Sequence, residues 1–211
     1  PFSTRTPINN DEDFIGRERE LGKIVELVTG AQAQSLALYG ERRIGKTSLL
    51  KAFARRQAAL LGDEAPSYHI VVCSAKTIAK PGELILQLIE RVSASLQTPA
   101  ASTTSTEALL QLVHTIAMHR QRLVILVDDF DTIAMNPEFD IAVFDFLRSI
   151  VSDSPVSMIL TSRRRLLTVV ADELKGSPFF NVFSERRLDG LDRAEVTSLI
   201  ARGSQAGVDL T

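Results

Sequence analysis

A lysine and a threonine follow a pair of glycines in the first quarter of the chain. Residues 40–47 read Gly-Glu-Arg-Arg-Ile-Gly-Lys-Thr, so four residues separate the glycines and the second one precedes Lys46 and Thr47. In a phosphate-binding loop with this spacing, backbone N–H groups surround the phosphates, the ammonium contacts the β- and γ-phosphates and the hydroxyl ligates Mg²⁺. The pattern predicts a site for ATP or ADP with Mg²⁺. Its predicted binding residues are Gly40, Glu41, Arg42, Arg43, Ile44, Gly45, Lys46, Thr47 and Ser48.

The neighbouring sequence favours this interpretation over a glycine-rich turn that contains Lys-Thr by chance. An apolar run, residues 35–39, precedes Gly40, and an apolar helical pattern begins near Lys46. A phosphate-binding loop requires this strand-loop-helix context. The start of the helix adds unpaired N–H groups and the positive end of its dipole.

Two aspartates, Asp128 and Asp129, follow the most apolar stretch of the chain, residues 123–127. In a parallel sheet, ligands collect at the carboxyl ends of the strands. Asp128 is therefore predicted to hold Mg²⁺ together with Thr47. Asp129 is a candidate to orient or deprotonate the attacking water, as a general base would. A solvated turn after a strand is the alternative, since aspartate is common there.

A third group of polar residues, Thr161, Ser162 and Arg163, follows the apolar run 156–160. Arg163 is predicted to contact the γ-phosphate, because a planar guanidinium pairs well with phosphate oxygens. A hydroxyl of Thr161 or Ser162 is predicted to hold the water. The alternative is a basic helix start formed by residues 163–165.

Strands and helices alternate along the chain, which predicts a three-layer α/β fold with a parallel sheet. The predicted strands are 35–39, 68–74, 123–127, 156–160 and 180–188. Predicted helices cover residues 21–29, 46–61, 81–96, 106–119 and 164–173, one begins at Asn136-Pro137, and a last one begins at the capping box of Asp192 and Glu195.

Composition is that of an ordinary globular protein, with 45% hydrophobic and 24% charged residues among 211. A net charge of −2 gives no argument for nucleic acid or an anionic membrane. Cys73 is the single cysteine and lies in a β-branched run, which indicates a buried thiol in a reducing compartment. With no apolar run of about 18 residues, no membrane span is expected and a cytoplasmic location is predicted. The chain stops at Thr211 inside a helical pattern, so we expect it to be part of a longer protein.

Taken together, these motifs resemble the nucleotide-binding domain of the STAND branch of AAA+-related ATPases. The resemblance adds an opening similar to the family's, Pro1-Phe2 and then residues 14–21, Phe-Ile-Gly-Arg-Glu-Arg-Glu-Leu. Read alone, that second stretch is an ordinary helix start. In the family context Ile15, Gly16 and Arg17 are predicted to lie against the adenine ring.

The resemblance implies a P-loop NTPase fold with strand order 5-1-4-3-2, a nucleotide-binding domain over residues 1–190 and the beginning of a helical lid over 191–211. It also implies self-association and effector or sensor domains in the same polypeptide. The chain departs from the pattern in two ways. Asp-Asp replaces the common Asp-Glu, so slow hydrolysis is expected, and no Gly-x-Pro follows Leu191. No arginine finger is assigned. Arg186 and Arg187 are candidates for that role.

Three functions remain open at this point. The first is an ATP-dependent signalling switch that controls oligomeric assembly. The second is an ATPase that loads on or remodels nucleic acid, of the origin-recognition or transposition type, against which the near-neutral charge argues mildly. The third is a nucleotide-binding scaffold without useful turnover. The histidines, His69, His114 and His119, lack metal-ligand spacing.

Overall fold

The computed structural model describes residues 6–170, 174 and 176–205, and the structural statements below concern these residues. Parts of three predictions lie outside them. These are the opening Pro1-Phe2, residues 171–173 of a predicted helix, and residues 206–211 of the predicted lid.

A five-stranded sheet forms the centre of the domain, and all its strand pairs are parallel. The strand order is β2-β3-β4-β1-β5, which confirms the predicted 5-1-4-3-2 read from the other edge. The strands are β1 Ser35–Tyr39, β2 Tyr68–Ser74, β3 Arg122–Asp128, β4 Val156–Ser162 and β5 Phe183–Arg187. Strands β3 and β4 are buried on both faces, as their continuous apolar runs require.

Helices cover both faces of the sheet, which gives the three predicted layers. Side chains alternate along each strand, so Leu36 and Leu38 belong to one core while Ala37 belongs to the other. The helices on the Leu36 face are α1 Glu18–Thr29, α2 Lys46–Arg55 and α3 Gln57–Leu61. The opposite core includes residues of α4 Pro81–Ser95, α5 Thr106–Met118, α6 Asp131–Ala134, α7 Ile141–Asp153 and α8 Leu166–Val169. The last described helix is α9 Arg193–Gln205.

The helix predicted over residues 46–61 is in fact two helices, which meet at Arg56. Arg56 leaves helical geometry with a ψ of 7°. Its guanidinium donates to the carbonyls of Asp11 and Phe14 and lies 5.1 Å from the centre of the Phe14 ring. The break therefore lies where the N-terminal arm is attached to the domain.

The prediction that a helix begins at Asn136-Pro137 was wrong. Asn136 closes the turn after α6, its amide donating to the carbonyl of Ala79 and its side-chain oxygen accepting from the Glu138 N–H. Helix α7 begins five residues later at Ile141, where the Asp140 carboxylate caps the Val143 N–H. An Asx turn and an N-cap both use a short polar side chain, so the sequence pattern alone did not separate them.

The last strand is shorter than the predicted 180–188, because a 3₁₀ turn over Pro178–Val182 precedes it. Phe179 and Phe180 pack against Phe144, with ring centroids 5.6 and 5.2 Å away. The capping box predicted for α9 is present. Asp192 accepts the Glu195 N–H at 2.9 Å, and Glu195 accepts the Asp192 N–H at 2.8 Å.

Cys73 lies on β2 with 1% of its surface exposed, and burial raises the pKa of its thiol to about 12. The thiolate is the reactive form. We expect a disulfide reagent at about pH 8 to modify Cys73 only as fast as the chain unfolds. The release of thionitrobenzoate in buffer and in denaturant measures this. Rapid modification in buffer would contradict the burial.

No helix in the described ranges is long and apolar enough to cross a membrane.

Candidate nucleotide-binding site

The predicted phosphate-binding loop joins the end of β1 to the start of α2, and its two glycines are required by its geometry. Gly45 has a φ of 103°, a region that side chains other than glycine rarely adopt. A Cβ on Gly40 would lie 2.7 Å from the carbonyl oxygen of Leu188, the residue that follows β5. Arg43 also has a positive φ, 66°. The side chains of Glu41, Arg42 and Arg43 are exposed.

Lys46 lies inside the loop with 7% of its surface exposed. Its ammonium donates to the carbonyls of Gly40 at 2.6 Å and Glu41 at 2.8 Å. Burial lowers the pKa of Lys46, and the nearby carboxylates of Asp129, Asp131 and Asp128 act in the opposite direction. The ammonium is thus desolvated and held by carbonyl oxygens, which phosphate oxygens can replace as stronger, charged acceptors.

Asp128, at the end of β3, accepts two hydrogen bonds from threonine hydroxyls. Thr47 donates to Oδ2 at 2.7 Å and Thr161, on β4, donates to Oδ1 at 2.6 Å. Thr161 also accepts the N–H of Asp129 at 2.9 Å and is fully buried. The loop, β3 and β4 are therefore connected through one carboxylate that is 8% exposed. The Thr161 hydroxyl thus donates to Asp128 and accepts from Asp129. In this structure it orients Asp128, whereas the sequence predicted that it holds a water molecule.

Asp129 has a positive φ of 54°, which turns it away from the line of β3. Its Oδ2 lies 2.6 Å from the ammonium of Lys76. Lys76 belongs to the 3₁₀ turn after β2, Ala75–Thr77, and its side chain is 61% exposed. Lys76 was not predicted as a site residue from the sequence. Its position at the end of a strand beside β3 was the available signal.

Asp131 is a third carboxylate at this edge that the sequence analysis missed. It is 6% exposed and its Oδ2 lies 3.4 Å from Nε of Arg163. Its Oδ1 is buried and makes no hydrogen bond with the described residues. Arg163 itself is 52% exposed and follows β4 as predicted. The structure therefore brings Arg163 to the loop edge, but pairs it with an acidic side chain.

Two predicted binding serines point to other partners in this structure. Ser162 is buried and its hydroxyl donates to the carbonyl of Arg164. The hydroxyl of Ser48 accepts the N–H of Ile8, so it holds the N-terminal arm. Their predicted contacts with nucleotide remain predictions.

Of the predicted adenine-binding residues Ile15, Gly16 and Arg17, the last contacts the phosphate-binding loop. Arg17 is buried, and its guanidinium donates to the carbonyl of Ile44 at 3.1 Å and of Asp189 at 2.7 Å. Ile15 is half-buried. The Arg17 side chain thus binds the protein's own carbonyls, and the adenine contact of these three residues remains a prediction.

The donors at this edge fit a magnesium ion. Mg²⁺ prefers oxygen ligands and usually takes one or two from the protein, the rest being phosphate and water. Thr47 and Asp128 supply a hydroxyl and a carboxylate that are already 2.7 Å apart. Within the described part of the chain no three His, Cys, Asp or Glu side chains form a metal cluster. A cavity of about 510 Å³ opens beside Thr47, Asp128 and Lys76.

A larger cavity of about 890 Å³ lies at the opposite edge of the sheet. It is lined by residues at or near the strand starts, among them Ser35, Arg122 and Phe183. None of the predicted site residues lines it. The candidate nucleotide site is therefore assigned from the charged side chains that cluster beside the smaller cavity, and not from cavity volume.

Comparison with protein-family models gives a match to the AAA domain over residues 29–170, about two thirds of the chain. The matched range contains the phosphate-binding loop, Arg163 and the Asp128 network, which consists of Asp128 and its two hydroxyl partners Thr47 and Thr161. The chain belongs to the AAA domain family. The comparison with curated proteins found no match.

Solved structures show the same fold as this AAA domain. A Walker-type ATPase of Pyrococcus abyssi superimposes with a TM-score of 0.69 at 16% identity, over 98% of this chain and 63% of the other. The ORC2 protein of Aeropyrum pernix in its ADP form gives 0.68 at 16%, over 93% and 55%. Domain III of the DnaA replication initiation protein of Thermotoga maritima gives 0.57 at 14%, over 98% and 79%. The AAA domain thus spans less than two thirds of the first two relatives.

Proposed function

We propose that this AAA domain binds ATP or ADP with Mg²⁺, hydrolyses ATP slowly and acts as the switch domain of a STAND-type ATPase. The observation that carries the proposal is the Asp128 network. One buried carboxylate joins a hydroxyl of the phosphate-binding loop to the strand that delivers Arg163. A structural turn has no need for a buried lysine, three carboxylates and an arginine at the same sheet edge.

In the proposed complex the phosphates lie in the loop between Gly40 and Thr47. The N–H groups at the start of α2 and the ammonium of Lys46 face them, and Lys46 exchanges the carbonyls of Gly40 and Glu41 for phosphate oxygens. Thr47 and Asp128 hold Mg²⁺. The ion would neutralise charge on the β- and γ-phosphates.

Asp129 is the proposed group that takes a proton from the attacking water. Its carboxylate is 14% exposed and is paired with Lys76. The ammonium competes for the oxygen that would accept the proton, so hydrolysis is expected to be slow until Lys76 moves away. An aspartate in place of the usual glutamate is also expected to slow hydrolysis, because its shorter side chain reaches less far toward the attacking water.

Arg163 is the proposed sensor of the γ-phosphate. Asp131 holds it in this structure through a long contact of 3.4 Å, and half of the Arg163 side chain is exposed. A γ-phosphate offers a charge-assisted and often bidentate partner. ATP would thus draw Arg163 from Asp131, whereas ADP would leave the pair intact. A ligand shifts an equilibrium only through such differential contacts.

Replacing Arg163 with alanine is expected to weaken binding of a non-hydrolysable ATP analogue by about tenfold and to leave ADP affinity nearly unchanged. Calorimetry measures both affinities, and light scattering measures ATP-dependent assembly. Arg164→Ala is the matched control, because the neighbouring guanidinium makes no ion pair with the described residues. Equal losses for ADP and the ATP analogue would make Arg163 a general phosphate or structural residue.

A role on nucleic acid is the second candidate, and a cluster of arginines favours it. Four exposed arginines lie at the carboxyl ends of three neighbouring strands: Arg42 and Arg43 after β1, Arg164 after β4 and Arg186 near the end of β5. Their side chains pair with no acidic group among the described residues. An Aeropyrum pernix ORC1 protein solved in complex with DNA shares the fold at a TM-score of 0.64 and 17% identity.

ATPase rates with and without DNA separate these two functions. Stimulation by DNA that is lost when Arg164 and Arg186, which lie outside the phosphate-binding loop, are replaced by serine would favour the second function. A rate that DNA leaves unchanged, together with ATP-dependent self-association, would support the switch. Nucleotide binding without turnover under either condition would indicate a scaffold.

A further inference from the structure

The turn formed by Gly16 and Arg17 is strained and is held from a distant part of the chain. Both residues have positive φ values, 74° and 69°. Arginine rarely adopts this conformation, which persists only where surrounding contacts determine it. One of these contacts comes from Glu195, in the first turn of α9.

The Glu195 carboxylate divides its two oxygens between two backbone groups. Oε2 accepts the Asp192 N–H at 2.8 Å, which completes the capping box of α9. Oε1 accepts the Arg17 N–H at 2.5 Å. The capping box accounts for a glutamate at this position, but it uses only one of the oxygens.

Gly16 permits this approach. A Cβ at Gly16 would lie 2.7 Å from Oε1 of Glu195 and 2.8 Å from its Cδ. The backbone angle therefore favours glycine, and a side chain here would displace the Glu195 carboxylate from Arg17. The absence of a side chain at Gly16 thus leaves room for the Glu195 carboxylate to reach the Arg17 N–H.

Arg17 extends the connection to the phosphate-binding loop. While its N–H binds Glu195, its guanidinium donates to the carbonyl of Ile44 inside the loop and to that of Asp189 before α9. The side chain is 5% exposed and also pairs with Glu20 at 3.1 Å. One buried residue thus contacts the loop with one end and the start of α9 with the other.

We propose that Glu195 is a positioning residue of the phosphate-binding loop, which it fixes through the Gly16–Arg17 turn, so that loop occupancy and the orientation of α9 are coupled. The coupling to nucleotide rests on the proposed function, whereas the contact between α9 and the loop does not. If nucleotide favours the attached position of α9, the attached position must favour nucleotide by the same factor.

Hydrogen exchange of three variants of the full chain tests the proposal, first without nucleotide. Glu195→Ala removes the Glu195 half of the capping box together with the Arg17 contact, while Asp192→Ala removes the Asp192 half and leaves Glu195 on Arg17. We expect Glu195→Ala to speed exchange of residues 40–49 by about tenfold, the effect of one charge-assisted hydrogen bond. Asp192→Ala should alter exchange in α9 alone. Equal exchange of the loop in the two variants would overturn the proposal.

Glu195→Gln provides an independent check if Glu195→Ala folds poorly. Its single carbonyl oxygen must serve one of the two N–H groups, so we expect loop exchange between those of wild type and Glu195→Ala. Exchange equal to that of Asp192→Ala would count against the proposal.

The second arm adds ADP or a non-hydrolysable ATP analogue with Mg²⁺. In wild type and Asp192→Ala we expect slower exchange in both the loop and residues 193–200. In Glu195→Ala the loop should respond and α9 should not. A response of α9 in Glu195→Ala equal to that in wild type would refute the coupling. No response of the loop in wild type would instead refute nucleotide binding, and the nucleotide-free comparison would still decide the role of Glu195.

Discussion

Lys46→Ala is expected to remove most of the stabilisation that nucleotide gives to this AAA domain. At a hundredfold excess over its dissociation constant, ATP or ADP with Mg²⁺ should stabilise the wild type by about 2.7 kcal/mol. Lys46 supplies the buried positive charge of the loop, so its loss leaves the phosphates without their closest cation. Thermal unfolding with and without nucleotide measures the difference.

Lys51→Ala is the matched control for this variant. Lys51 lies on the same helix and binds the side chain of Asn9 at 2.9 Å, away from the loop carbonyls. It should keep the full nucleotide-induced shift. If Lys46→Ala keeps the shift as well, Lys46 does not contact phosphate and the loop is a structural turn.

Asp129→Asn is expected to lower the ATP hydrolysis rate by about a hundredfold or more while preserving ATP binding. An amide cannot take a proton, yet it has nearly the shape of the carboxylate. Phosphate release under saturating ATP measures the rate, and calorimetry measures binding. Asp153→Asn, at the other end of the sheet on α7, should leave both unchanged.

Lys76→Met adds a second comparison. If the ammonium restrains Asp129 as proposed, removing it should raise the hydrolysis rate.

Unchanged rates in Asp129→Asn, in a preparation whose wild type hydrolyses ATP, would exclude Asp129 as the base.

Local patterns were sufficient to locate the five strands and the loop between β1 and α2, whereas the strand order came from the family resemblance. Strands β1 and β2 have the predicted bounds. The backbone of the loop depends on the spacing of residues within Gly40–Thr47, so a contiguous stretch of sequence is enough to predict it. Asp128 lies at the end of β3, as predicted, because a strand end is a local feature.

Contacts between distant residues could not be predicted in the same way. Lys76 meets Asp129 because β2 and β3 are neighbours, and Glu195 meets Arg17 across 178 positions. Both contacts depend on side-chain conformations that a linear pattern does not specify. Asp131 was nearer to detection, since it lies three residues after Asp128 and α6 places it at the same edge. Ser162 shows the reverse case, a polar residue at the right strand end whose hydroxyl points to a backbone carbonyl.

Calorimetric titration of the full chain with a non-hydrolysable ATP analogue, with and without Mg²⁺, tests the nucleotide site most directly. We predict one bound nucleotide per chain, tighter binding with Mg²⁺, and loss of that Mg²⁺-dependent part in both Thr47→Ala and Asp128→Asn. The absence of binding in the wild type, or an Mg²⁺ effect that survives both substitutions, would contradict the site described here.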